Sequence, residues 1–368
     1  MRFNLPVLVY QEKNCVHNHA DEIAQMGKNA LIVTGRNSSK KNGSLDDVIN
    51  ALKSKNIKYT VYDGVEENPS VETVMEAREI GVKAGCDFII GIGGGSPMDA
   101  AKAIGVMIYI LFNTPYCFGY LSNKDFLYKS VSNSQSLPVI EVPTTCGTGS
   151  EVTTVAVLTV HNEKTKKSMS HRIFPRMALV DEKYIKNAPL KVICDTAIDA
   201  LAHIVESCIN NNATEYSKMF AKEGLEAWSK FKDVLLGNRE ATDEDFHNMM
   251  YASTLAGMCI AHAGTSLPHG LSYPITYELG ISHGKAVGYF LPGYINEATD
   301  EDKEFVLKAA GFESVEEFSK FYKKACGYEK FPQELLDKTG ELILSNQRKL
   351  ANCPYKVDAE VIKNIISF

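Results

Sequence analysis

Several features that would classify this chain at once are missing from it. No block of about 18 consecutive apolar residues occurs, the length a helix needs to cross a bilayer, so no membrane span is expected. There is no basic excess. Lys and Arg number 39 against 45 Asp and Glu, a formal net charge of −6. The lysine clusters "SSKKNG" and "EKTKK" are too short to track a phosphate backbone, so nucleic acid is not an expected partner. Nine scattered cysteines, an odd number, include no C-x-x-C pair, which argues against a disulfide framework or a structural zinc site and fits free thiols in a reducing compartment. The start, "MRFNLPVLVYQEKN", lacks the apolar block and small-residue cleavage site of a secretory signal. Together these absences predict a cytoplasmic protein. What remains is an ordinary globular composition, 45% hydrophobic over 368 residues, long enough for two domains.

The two halves of the chain have different textures. In the first, short apolar runs at 6–10, 29–35, 57–64, 87–93 and 137–145 read as strands separated by amphipathic stretches. "SLDDVINALKSK" places Ser44 as an N-cap with Asp47 three residues on. "SVETVMEAREIGVKAG" puts Val71, Val74, Met75 and Ala77 on one face and ends at a glycine. Alternating strands and helices with continuously apolar strands predict an α/β domain whose parallel sheet is covered on both faces. Apolar runs at 153–160 and 177–181 close the strand-rich part. From there helical periodicity takes over. The expected division is a dinucleotide-binding α/β domain over 1–182 and an all-helical domain over 183–368, with ligands where two such domains face each other.

"GIGGGSPMDAAKAIG" (91–105) follows the strand "DFIIGIG" and opens a helix, with Ser96 read as its cap and Pro97 as its first residue. Glycines between a parallel strand and a helix suit a phosphate on free backbone N–H groups, although a tight turn explains them as well. The spacing matches neither G-x-G-x-x-G nor a Walker loop. "PTTCGTGSE" (143–151), after another strand, adds hydroxyls and bare backbone that suit a ribose or the neutral end of a dinucleotide, or simply form a polar loop.

Asp199 and His203 in "DALAH" are four apart and share a helical face. His269 and His283 each precede a glycine, in "LPHGLSYP" and "ISHGKAVG". One carboxylate and three imidazoles are a donor set for a divalent first-row ion, although a histidine near a helix end is commonly structural. Such an ion can polarise a hydroxyl or carbonyl oxygen while a dinucleotide exchanges hydride with the carbon. His17 and His19 ("HNH") have no nuclease context and read as surface residues. His161, His171 and His247 carry no signal, and His262 is only a candidate for approaching the site.

Taken together these stretches resemble the iron-containing (group III) alcohol dehydrogenases. "ALIVTG", "EENPS", "GIGGGSPMDAAKAIG", "EVPTTCGTGSEVT", "DALAHIVES", "LAGMCIAHAG", "LPHGLSYP", "SHGKAVGYFLP" and "NCPYKVDAEVIKNI" match in order along essentially the whole chain. The resemblance implies a dehydroquinate synthase-like architecture with metal ligands Asp199, His203, His269 and His283. It also implies a pyrophosphate on Gly93, Gly94, Gly95 and Ser96, followed by Pro97 and Asp99. Asn68, Thr144, Thr145 and Lys166 become cofactor contacts. Cys146 replaces a usual alanine, and Tyr273 stands where many members carry a second histidine, so a proton-transfer role passes to Tyr273, to water or to nothing.

The strand ending "IVTG" has Gly35 where NAD-using relatives carry an aspartate. The following "RNSSKKNG" offers Ser38, Lys40 and Lys41, which favours NADP(H) over NAD(H). The expected activity is reversible oxidation of a small alcohol or reduction of an aldehyde, with Fe²⁺ implied by the resemblance and Zn²⁺ also suited to the donors. A homodimer is implied as well. The rival is a metal-dependent lyase or cyclase like dehydroquinate synthase, against which "DALAH" and "GTGSE" speak. A redox sensor without turnover is a third possibility.

Overall fold

The computed structural model describes residues 3–113, 124–129, 131, 133–163 and 165–368, which form two compact units. Leu5–Thr145 and Ser150–Asn187 make the first. Its strands are β1 (Leu8–Gln11), β2 (Asn29–Gly35), β3 (Lys58–Val65), β4 (Phe88–Gly93), β5 (Val139–Pro143), β6 (Val157–Val160), β7 (Thr165–Ser168) and β8 (Met177–Val180). Its helices are α1 (Cys15–Asn18), α2 (Ala20–Ala24), α3 (Ser38–Lys41), α4 (Ser44–Ser54), α5 (Val71–Ala84) and α6 (Gly95–Asn113). Six strands pair in parallel in the order β1-β8-β5-β4-β2-β3.

The period of two along each strand builds both faces. Leu31, Val33 and Ile89 point into the layer of α5 and α6, with Val74, Ala77, Ala100 and Ile104. Ala30, Ile32, Phe88 and Ile90 point the other way, against Val48, Ala51 and Leu52 of α4. Of the 153–160 run only the last four residues form a strand. β6 pairs antiparallel with β7 in a separate two-stranded sheet.

Two helix starts differ from the sequence reading. Ser44 is the first residue of α4 and not its cap; Gly43, at φ +83°, takes that place, and Ser44 Oγ bonds Asn42 Oδ1 at 2.7 Å instead. Likewise α6 begins at Gly95, so Ser96 and Pro97 lie inside its first turn. The Ser96 hydroxyl accepts the Asn68 N–H at 3.0 Å, and a proline is tolerated there because first-turn N–H groups have no intrahelical partner. α5 keeps the expected signals, with Ser70 Oγ accepting from Thr73 N and Gly85 closing the helix at φ +68°.

α6 is the one described helix that is long and apolar enough on average (mean hydropathy 1.2) to cross a membrane, but Asp99 and Lys102 interrupt it and 61% of its 18-residue apolar window is buried in the fold, as in the core helix of an α/β domain. Lys102 is fully buried there, its ammonium donating to Ser150 O (2.7 Å), Ser150 Oγ (2.6 Å) and Val155 O (2.8 Å). Such satisfaction is what permits a charge in a core.

The second unit contains Ala188–Phe368 together with Cys146–Gly149 and the N-terminal residues Phe3 and Asn4. It is helical: α7 (Leu190–Cys208), α8 (Glu215–Ser229), α9 (Lys232–Leu235), α10 (Asp243–Ala263), α11 (Leu267–Leu279), α12 (His283–Asn296), α13 (Asp300–Ala310), α14 (Val315–Cys326), α15 (Gln333–Leu344), α16 (Gln347–Asn352) and α17 (Ala359–Ser367). α7 is the central element, buried at every residue from Ala197 through Cys208; Ala197 O accepts the Trp228 indole N–H at 2.7 Å. Thr214 and Thr242 each close a reciprocal capping box on α8 and α10. Among the described residues all eight cysteines are buried and free of disulfides; Cys117 lies outside them.

Candidate metal centre and cofactor loops

α7 carries Asp199 and His203 one turn apart on a buried face. α11 brings His269 in its first turn, and α12 begins with His283. The glycine after each histidine has a packing reason. A Cβ on Gly284 would lie 1.8 Å from Asp195 O of α7, and one on Gly270 would lie 2.3 Å from Ile343 Cδ1. At Gly284 only a bare backbone fits against the carbonyl of α7, whereas at Gly270 the neighbour is the tip of an isoleucine side chain, which would have to turn aside.

Ligand atoms of Asp199, His203 and His269 all lie within 4.8 Å of one another. His269 Nε2 is 3.5 Å from Asp199 Oδ1, and His283 Nε2 is 3.9 Å from the same oxygen. Donors about 2.1 Å from a tetrahedral ion stand about 3.4 Å apart, so this spacing suits a shared cation. Asp199 Oδ1 and His269 Nε2 are buried and make no hydrogen bond. Unsatisfied buried polar atoms are costly, and two of them facing each other at this separation fit the donor set of a metal ion.

The other nitrogens of two of these histidines are held. His203 Nδ1 lies 3.1 Å from the carbonyl of Gly147, and His269 Nδ1 contacts Glu206 Oε2. A carbonyl can only accept, so His203 Nδ1 carries the proton and Nε2 is the free lone pair of the neutral ring. The second histidine–glycine segment differs: His283 packs its ring on Tyr273, with centroids 5.6 Å apart and planes 22° apart. The Lys349 ammonium stands 5.9 Å from the centre of the Tyr273 ring.

The electrostatics follow from this packing. Burial opposes ionisation of Asp199, yet His203, His269 and His283 beside it hold the carboxyl well below its usual range. Burial pushes His203 down to about 4, against the pull of Asp199, so the ring is neutral at physiological pH. Burial acts on His269 in the same sense but is outweighed by Glu206 and Asp199.

His262 does not join this group. It stacks on Phe3 with centroids 4.7 Å apart, and its Nε2 accepts the Asn4 N–H at 3.3 Å. His19 likewise stacks on Tyr10 and contacts Glu12 and Glu22.

In the α/β unit the loops after β2, β4 and β5 emerge at the carboxyl ends of neighbouring strands, where open α/β sheets take ligands. Gly93 has φ +152°, and a Cβ there would meet Pro97 Cγ at 2.6 Å. A Cβ on Gly94 would meet Thr145 Oγ1 at 3.0 Å. Gly93 is thus required by the protein's own packing, while Gly94 stands tight against a threonine side chain that a Cβ would have to shift by a few tenths of an ångström. Thr144 N donates to Gly93 O at 2.8 Å and ties the two loops together. Asn68, at φ +58°, accepts the Lys166 ammonium on Oδ1 at 2.6 Å, whereas neighbouring Lys167 pairs with Glu163. Both Asp99 oxygens are engaged within the protein, one by Ser150 Oγ (2.6 Å) and the other by Val157 N (2.8 Å). Gly35 ends β2, and Ser38 and Lys41 are exposed on α3, while Lys40 is paired with Asp63 at 2.5 Å.

Glu206 was not singled out by its sequence context, although it lies three residues beyond His203 and seven beyond Asp199, on the same helical face. Gly147 gave no such signal, because only the tertiary fold brings its carbonyl to His203.

Residues 6–182 match the family model for iron-containing alcohol dehydrogenase, and residues 193–343 match the C-terminal model of the Fe-containing alcohol dehydrogenase family. The chain is 29% identical over 352 residues to an NADPH-dependent butanol dehydrogenase of Clostridium saccharobutylicum, covering 95% of this chain and 84% of that protein. It is 31% identical over 277 residues to a lactaldehyde reductase of Escherichia coli, covering 74% and 69%. The fold superposes on the crystal structure of an iron-containing alcohol dehydrogenase from Thermotoga maritima with a TM-score of 0.88 at 37% identity, over 99% of this chain and 98% of that one. By sequence over both units and by fold, the chain belongs to the iron-containing alcohol dehydrogenase family.

Proposed function

We propose that this chain is a metal-dependent, NADP(H)-linked alcohol dehydrogenase or aldehyde reductase for small alcohols and aldehydes. The observation that carries the reading is the buried, unbonded pair Asp199 Oδ1 and His269 Nε2, 3.5 Å apart. A divalent ion, Fe²⁺ on the family reading and Zn²⁺ by the same donor chemistry, supplies a Lewis acid for the substrate oxygen, while NADP(H), with NAD(H) second, exchanges hydride.

The chain's own part is to hold these groups and dispose of a proton. Asp199, His203, His269 and His283 provide one carboxylate and three imidazoles. Gly93, Gly94, Gly95, Ser96 and Pro97 form the turn for the pyrophosphate, where first-turn N–H groups and the helix dipole favour an anion. Thr144, Thr145, Asn68 and Lys166 line the neighbouring loops, and Asp99 anchors them through Ser150 and Val157. Tyr273 keeps the plane of His283 and offers a hydroxyl for proton movement.

The cofactor preference rests on Gly35, Ser38 and Lys41. A glycine at the end of β2 brings no carboxylate to repel a 2′-phosphate. Lys40 pairs with Asp63 in a half-exposed contact that a phosphate could displace, and Lys41 beside it is the lysine assigned to the phosphate. The butanol dehydrogenase relative is NADPH-dependent by its name, in keeping with this preference. A homodimer is the expected assembly, to be checked by light scattering.

The deciding experiment pairs anaerobic metal analysis with an NADPH-coupled screen of aldehydes of graded length. Stoichiometric metal and NADPH oxidation are expected. Full turnover by metal-free protein, or no oxidation with any aldehyde, would overturn the reading and reopen the lyase alternative.

A further inference from the structure

We infer that Glu206 is a positioning residue of this centre, one that fixes His269 as the Nδ1–H tautomer and so presents Nε2 as a lone pair. The inference rests on the metal reading above.

Glu206 is fully buried, on the same helix as Asp199 and His203. Three donors converge on its carboxylate. Oε1 accepts the Ser266 N–H at 2.9 Å and the His269 N–H at 3.2 Å, and Oε2 meets His269 Nδ1. Ser266 precedes α11 and makes no side-chain cap, so Glu206 supplies from another helix the acceptor that the start of α11 lacks. One carboxylate therefore holds both the first turn of α11 and the His269 ring that projects from it.

The tautomer follows from elementary chemistry. An ionised carboxylate has lone pairs and no proton, so the nitrogen facing it must carry the hydrogen. A neutral imidazole has only one N–H, which leaves Nε2 bare toward Asp199. A glutamine in the same place can still accept backbone N–H groups through its oxygen. Its NH₂ would then face Nδ1 as a donor, favouring the Nε2–H form, which cannot ligate. A residue that merely capped α11 would leave the tautomer alone.

The test uses the full chain with Zn²⁺ as a diamagnetic probe. Zn²⁺ affinity is measured by chelator competition for the wild type, Glu206→Gln and Glu206→Asp, and histidine tautomers are read from long-range ¹H–¹⁵N spectra. We expect His269 of the wild type to keep its proton on Nδ1 and to ligate through Nε2. Glu206→Gln should weaken Zn²⁺ binding about 10- to 100-fold, and Glu206→Asp, still an acceptor only, should recover part of that loss. Unchanged affinity in Glu206→Gln, equal losses in both variants, or a wild-type His269 protonated on Nε2 would each overturn the inference. If the Gln variant does not fold, the wild-type spectrum alone decides it. A wild type that takes up no Zn²⁺ overturns the metal reading instead, and the tautomer of the metal-free chain at alkaline pH still tests Glu206.

Discussion

His203 Nδ1 donates to the carbonyl of Gly147 at 3.1 Å, so a loop residue 56 positions earlier in the chain fixes the tautomer of a candidate ligand on α7. Gly147 is itself pressed against that helix. A Cβ there would lie 2.7 Å from Thr196 O. Gly147→Ala should therefore push the loop away, costing roughly 1–3 kcal/mol of stability as overpacking and weakening metal affinity through His203. Thermal melts and chelator competition on the same preparation check both effects.

Replacing a proposed ligand has a larger effect. His203→Ala and Asp199→Asn should each lose metal content and turnover together, with helical content by circular dichroism retained. Chelator treatment of the unmodified chain should do the same, and restored metal should restore rate. Full activity in metal-stripped protein would contradict the assignment.

Tyr273 touches His283 through its ring. Tyr273→Phe keeps that stacking, so metal content should stay at the wild-type level. Tyr273→Ala removes it and should lower the metal stoichiometry after dialysis. The kcat of the Phe variant then reports on the hydroxyl alone, since a proton donor in the reaction is worth about 10²- to 10⁴-fold.

The cofactor preference should be movable at one exposed side chain. The kcat/KM ratio of NADPH to NADH should exceed one and should fall in Lys41→Glu, where like charge meets a 2′-phosphate. A wild-type ratio below one would remove the claim.

A pH dependence away from the site comes from Asp245, whose oxygens accept both Arg239 guanidinium nitrogens at 2.6 and 2.7 Å. The hydrogen bonds from Arg239 outweigh partial burial and hold this carboxyl below its usual range. Its contribution to stability is therefore fully present above the unfolded value of about 3.9 and is lost as the pH falls toward the lower folded value. The urea midpoint of Arg239→Ala should lie below that of the wild type at pH 6, with the gap narrowing under acid.

Local pattern carried much of the fold. Ala30–Val33 and Phe88–Ile92 are apolar at every position because both faces of the sheet are covered, and a continuous run is what such a strand looks like. Ser70 and Gly85 bound α5 by chemistry that acts within a few residues. Local pattern misled where a distant group took over a side chain. Ser96 reads as a cap, but its hydroxyl is bound by the backbone of Asn68. The run at 153–160 reads as one strand, yet only Val157–Val160 finds a partner, in β7.

The site divides along the same line. The spacing of Asp199 and His203 is a property of one helix, and the chemistry of four donors is written in their identities. The sequence by itself determined that a carboxylate and an imidazole share a face, that two histidines stand before glycines, and that glycines join β4 to α6. Tertiary structure alone decided that Oδ1 of Asp199 and Nε2 of His269 meet 3.5 Å apart, that Gly147 and Glu206 hold the opposite ring nitrogens, and that β8 slots between β1 and β5. The physical reason is range: helix period and capping act over three or four residues, whereas a ligand set and a strand order depend on side chains that only packing brings together.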